Sequence, residues 1–82
     1  MTSNVAMVAA EHQRQRIPAL WLMEFEDWTN ASLAGLSADP VVGREIKAWA
    51  GWELEYREAF NVVVDYDPST WQLRRRRARK GD

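Results

Sequence analysis

The sequence contains no cysteine, which excludes disulfides, thiolate nucleophiles, cysteine-ligated clusters and thiolate zinc sites together. Packing must therefore hold the chain together. There is one histidine, His12, and adjacent helical positions point about 100° apart, so Glu11 beside it cannot complete a metal site. The Glu-x-x-His pattern of carboxylate-bridged metal bundles is missing as well. Asp65 and Asp67 flank Tyr66 at the rim of an expected turn, where carboxylates bind their own backbone. Glycine and proline are scarce, at four and three residues, which argues against fibrous or low-complexity character. No apolar run approaches the roughly 20 residues needed to cross a bilayer, and residues 1–10 lack the basic start and apolar core of a secretory signal. The chain reads as soluble and cytoplasmic, with no membrane partner. Phosphate-cradling glycine loops, nucleophile elbows and cofactor fingerprints are likewise missing. No catalytic residue, metal or cofactor is expected, and the chain is not expected to be an enzyme.

What is present is a load of large side chains in a short polymer. The 82 residues are 46% hydrophobic and include five tryptophans. A chain of this length buries only about 60% of the surface its unfolded form exposes, so it must pack unusually large groups or a partner. The tryptophans are the expected compensation.

Asn4 is placed to cap a first helix running toward Gln15, with Val5, Val8, Ala9 and His12 along one face. Pro18 sets a boundary. Residues 19–30 read either as a strand of period 2 or as a helix opened by Pro18, with Leu20, Trp21, Glu24, Phe25 and Trp28 on one face. The helix is preferred because Leu, Met and Glu favour it and no β-branched residue occurs between Ala19 and Trp28. Residues 29–38 read as a connection containing about one helical turn. Asp39 and Pro40 form a cap and a first position for a further helix. Its expected core stripe is Val42, Ile46, Trp49, Tyr56 and Phe60, with Trp52 and Ala59 on the flank. Gly43 and Gly51 fall inside this helix, and close packing against bulky neighbours is the preferred explanation, a kink the rival. After Phe60 a β-branched run from Val62 leads through turn residues 67–70 to Trp71 and Leu73, the pattern of a hairpin. The rival is an extended segment that orders only on a partner, anchored by Trp71.

Charge is segregated along the chain. Residues 1–73 carry five basic and eleven acidic residues, a balance of −6, whereas residues 74–80 carry six basic residues and no acid. The expected fold class is α+β: a small single domain of two or three helices with a C-terminal β-hairpin. An acidic, tryptophan-rich body over residues 1–73 is followed by a basic tail over 74–82. A helix-turn-helix reading of residues 32–47 fails on charge, because its recognition helix would bring Glu45, Glu53, Glu55 and Glu58 to the phosphates.

The function expected from these residues is a protein–protein interaction or assembly module, structural, adaptor or inhibitor-like. Trp28, Trp52 and Trp71 are the candidate aromatic contacts. Arg74, Arg75, Arg76, Arg77, Arg79 and Lys80 are the candidate electrostatic contacts. The partner is another protein or a second copy in a homo-oligomer. The alternative is a non-specific nucleic-acid-binding protein that uses the arginine run against phosphates.

Overall fold

The computed structural model describes residues 2–78, with side chains from Val5 onward, so the expectations for Arg79 and Lys80 lie outside the described residues. The described chain runs through helices α1 (Thr2–Gln15), α2 (Ala19–Phe25), α3 (Asn30–Ser37) and α4 (Arg44–Ala59), then strands β1 (Val62–Tyr66) and β2 (Leu73–Arg77). The strands form an antiparallel two-stranded sheet, with Val64 opposite Arg75 and Tyr66 opposite Leu73. This is the expected α+β domain with a C-terminal hairpin, built on one helix more than foreseen.

Local chemistry explains most of the boundaries. Pro18 opens α2 and lies just outside it with extended backbone, since a proline at a helix start forfeits no needed N–H. Thr29 caps α3: its hydroxyl accepts the Ser32 N–H at 3.0 Å. That cap turns a segment expected to be mainly connection into a full helix. Asp39 and Pro40 do not start α4; the Asp39 carboxylate instead accepts the Val41 N–H at 2.9 Å, closing a local turn. Helix α4 begins after Gly43, which stands at its N-cap. Asn4 is also displaced from its expected role, because α1 is already under way from Thr2.

A hydrophobic cluster of Ile17, Phe25, Leu33 and Ala50 forms the centre, with Trp21, Trp28, Trp49, Trp52 and Leu54 packed around it. Trp21 lies 5.7 Å from Phe25 and 6.0 Å from Trp49 between ring centroids, and Trp28 meets Phe25 edge-on at 5.9 Å. Such tilted and T-shaped contacts suit the ring quadrupoles. The tryptophans thus fill the core of a chain too short to fill it with aliphatics.

The deepest stripe of α4 is not the aromatic one. Ala50, Glu53 and Arg57 are its buried residues, while Ile46, Trp49, Tyr56 and Phe60 are only partly covered. Burial of two charges is tolerated because each is fully engaged. Arg57 Nε donates to Glu53 Oε2 at 2.9 Å, Nη1 to the Trp28 carbonyl at 2.7 Å and to Asn30 Oδ1 at 2.9 Å, and Nη2 to the Phe25 carbonyl at 2.7 Å. The carbonyls it covers lie at the end of α2 and in the turn beyond it, where helical partners run out. Burial lowers the Arg57 pKa and Glu53 opposes that shift. The second oxygen of Glu53 accepts from Arg14 Nε of α1 at 2.7 Å.

That contact also reorients α1. Val5, Val8, Ala9 and His12 face solvent, contrary to expectation, while Met7, Ala10, Arg14 and Ile17 turn inward. Helix α1 rotates so that Arg14 reaches Glu53 and lies over the Tyr56 ring, 4.4 Å from its centroid. A helix with a thin apolar stripe takes its orientation from a charge partner and a ring.

Gly51 has nothing within 4 Å of the position a Cβ would occupy, so close packing does not explain it, and α4 runs unbroken through it. Gly51→Ala is expected to stabilise the fold by about 1 kcal/mol through helix propensity, read as a higher urea midpoint at unchanged slope. Arg57→Met should cost about 3–5 kcal/mol, because it removes one of the two partners of the buried Glu53 carboxylate and leaves the Trp28 carbonyl without its donor. In the Glu53→Leu/Arg57→Met double variant the buried carboxylate is gone, but the Trp28 carbonyl remains without a donor and Arg14 without its carboxylate. Its denaturation midpoint should fall between the single variant and the parent.

Candidate functional site

The hairpin is assembled from unequal strands. β1 is the inner one: Val64 is buried, and the side-chain amide of Asn30 spans its outer edge. Asn30 Nδ2 donates to the Val62 carbonyl and Oδ1 accepts the Val64 N–H, both at 3.2 Å. Asn30 thereby substitutes for a neighbouring strand over one residue pair, which satisfies groups that would otherwise be orphaned.

β2 carries the sequence Leu73-Arg-Arg-Arg-Arg77. Arg74 to Arg77 of the basic segment are therefore paired strand residues, and the pleat sends them to opposite faces. Arg74 and Arg76 share one face with Asp65: Arg74 Nε lies 2.7 Å from Asp65 Oδ1 and Arg76 Nη2 lies 3.1 Å from Asp65 Oδ2. Arg74 also approaches Asp67 at 3.8 Å. Hydrogen bonding from Arg74 holds the Asp65 carboxyl below its ordinary pKa, and Asp65 in turn raises that of Arg74. On the other face Arg75 and Arg77 are exposed, and neither makes an ion pair with the described residues.

The connecting loop, residues 67–72, is closed by Asp67. Its carboxylate accepts the Ser69 hydroxyl at 2.7 Å and the Ser69 N–H at 2.9 Å, which lowers its pKa. Its carbonyl accepts the Trp71 N–H at 2.6 Å and its own N–H reaches the Gln72 carbonyl at 2.8 Å. Within this loop Trp71 adopts φ 60°, a left-handed conformation costing an L-residue about 1–2 kcal/mol. It is also 75% exposed. The remaining expected contact residues differ: Trp28 and Trp52 are half-buried against the core, with Arg16 over the Trp52 ring at 5.4 Å.

A second surface feature was not foreseen as a unit. Leu20, Trp21 and Trp28 join Leu36, Val42 and Ile46 around an open groove of about 520 Å³, with Glu24 as its one charged wall. The Trp28 indole N–H lies 3.4 Å from the Glu24 carboxylate. The signal for this groove was in the helical reading of residues 19–30, whose aromatic face is wider than the core can cover.

Among the described residues no group of three or more His, Cys, Asp or Glu side chains is arranged for a metal ion. No helix among them is long and apolar enough to cross a membrane. Compared with known proteins, the chain matches no family model, no curated protein and no solved structure. The chain carries a surface aromatic cluster and a basic C-terminal segment, an arrangement consistent with an interaction surface.

The depressed pKa of Asp65 sets a direction for pH dependence. Its contribution to stability is complete above the unfolded-state value near 3.8 and is lost as pH falls from there through the lower native value. Asp65→Asn should therefore lower the urea midpoint at pH 6, and the gap to the parent should close progressively below pH 3.8. A gap of constant size down to pH 2 would mean that the carboxylate charge contributes nothing.

Proposed function

We propose that this chain is a non-enzymatic contact protein of the cytoplasm, an assembly, adaptor or inhibitor-like module, and that the C-terminal hairpin is its docking element. The observation that carries this reading is Trp71. A large aromatic side chain stands in solvent on a backbone conformation that disfavours it. Neither burial nor backbone preference accounts for a tryptophan there, and strain of this kind concentrates where a residue serves recognition. Tryptophan and arginine are also the residues that protein interfaces concentrate. The exposed Arg75 and Arg77 lie on the strand that follows it. Trp28 and Trp52 rank behind Trp71 as contacts because much of their surface is spent on the core.

Nucleic acid is the second reading, favoured by the arginine content of β2. Against it stand Asp65 and Asp67, which lie among the arginines and already neutralise part of their charge. A phosphate backbone lying across the hairpin would meet both carboxylates.

Two measurements on the full chain test this. Trp71→Gly should leave the melting temperature equal to or above that of the parent, since glycine accepts positive φ without strain; a marked fall would make Trp71 a structural residue. Light-scattering mass should be unchanged by a 12-base-pair DNA duplex at both low and high salt. A mass increase with duplex that disappears in high salt would shift the assignment to nucleic acid.

A further inference from the structure

The two edges of the sheet are treated differently. In an antiparallel pair, residues alternate between exchanging main-chain hydrogen bonds with the opposite strand and turning those groups outward. Asn30 takes the Val62 carbonyl and the Val64 N–H, so Val62 and Val64 belong to the outward set. Their register partners Arg77 and Arg75, and Leu73 opposite Tyr66, must then turn their N–H and C=O groups away from β1. Among the described residues nothing bonds to them. One edge is covered by a side chain that imitates a strand, and among the described residues the other is open along the length of β2.

Edges of this kind are commonly guarded by charge. Arginines at Arg75 and Arg77 would repel a second β2 laid antiparallel against the first, because like charges directly opposite one another are destabilising. They would equally admit a strand of opposite sign. The charge that excludes homotypic pairing therefore selects a particular partner.

We propose that the open edge of β2 accepts an extended acidic peptide segment of a partner protein as a third, antiparallel strand. The pattern follows from register. Residues opposite Arg77, Arg75 and Leu73 share one face, so the segment reads acidic-x-acidic-x-apolar from its N-terminus. Its two carboxylates meet Arg77 and Arg75, and its apolar residue packs on Leu73 near Trp71. This face is opposite the one on which Asp65 holds Arg74 and Arg76, so the strand's carboxylates avoid Asp65. Addition of a third strand also strengthens a sheet that is marginal with two. The proposal rests on the reading of the hairpin as a protein-docking element and supplies the chemistry of its partner.

The test uses the full chain and a fluorescein-labelled peptide with the core Glu-Thr-Glu-Thr-Leu, followed by anisotropy. Binding is expected, and it should weaken by about tenfold or more when both glutamate nitrogens are methylated, because their N–H groups would face β2. Arg75→Glu/Arg77→Glu should lose the acidic peptide and gain the Lys-Thr-Lys-Thr-Leu counterpart, with circular dichroism confirming that the variant folds. Four outcomes would overturn the proposal: no binding, equal binding of the methylated peptide, equal binding of oligothymidylate, or a homodimer that excludes the peptide. Absence of peptide binding with the mass unaffected by duplex would remove strand addition alone. Preference for oligothymidylate together with a duplex-dependent mass would remove the reading beneath it as well.

Discussion

The interaction on which the rest of this structure depends is the buried pair of Glu53 and Arg57. One carboxylate holds Arg14 of α1 and Arg57 of α4, and one guanidinium holds the carbonyls of Phe25 and Trp28 and the side chain of Asn30. Asn30 then carries the edge of β1. A continuous chain of hydrogen bonds therefore links α1, α4, the end of α2, the start of α3 and the sheet. A chain of 82 residues lacks the volume for an apolar core that would fix five elements against each other. Directional bonds do so here. Such pairs are often no more stabilising than apolar replacements, but an apolar side chain could not occupy this site without orphaning the Trp28 carbonyl, whose donor is Arg57.

The same network explains how an exposed, charged hairpin can exist. A two-stranded sheet in water is marginal, and β2 makes little contact with anything except β1. The inner strand must therefore be fixed first, by burial of Val64 and by Asn30. The outer strand is then held through backbone pairing and through Asp65, which serves Arg74 and Arg76 together. On the opposite face Arg75, across from Val64, borders a groove shared with Glu26, Asp27 and Tyr56, yet neither it nor Arg77 forms an ion pair with the described residues, and both stay exposed.

Much of the architecture was legible in the sequence, and the misreadings share a cause. Pro18, the unbranched residues of α2, the β-branched run at Val62 and the turn residues after Tyr66 act locally, and local rules located them. The cap at Thr29 was equally local but was masked by the small and polar composition around it. The orientation of α1 and the buried stripe of α4 were not legible, because apolar periodicity assigns charged residues to solvent. Glu53 and Arg57 look like an ordinary surface pair at i and i+4 until the ends of α2 and α3 supply their partners across about thirty residues of sequence. Of the site, Trp71 and the basic run could be named from the sequence as candidates. Its decisive property, a strand whose alternate arginines lie on opposite faces, could not, because that depends on pairing with β1.

Pairing also changes what a run of arginines means. Contiguous in sequence, four such residues suggest a diffuse positive charge with affinity for any polyanion. Folded into β2, they divide into two that neutralise the protein's own aspartates and two that remain at 6–7 Å spacing along one face, since alternate strand residues are separated by about that distance. A field has become a ruler. Phosphate recognition gains little from fixed spacing of this kind along a single line, whereas an extended peptide has the same repeat and presents its own carboxylates at the matching interval. The open main-chain groups between the arginines add a requirement that only another strand meets. Discrimination then comes from two demands made at once, charge from the side chains and hydrogen bonding from the backbone, and a partner must satisfy both to bind.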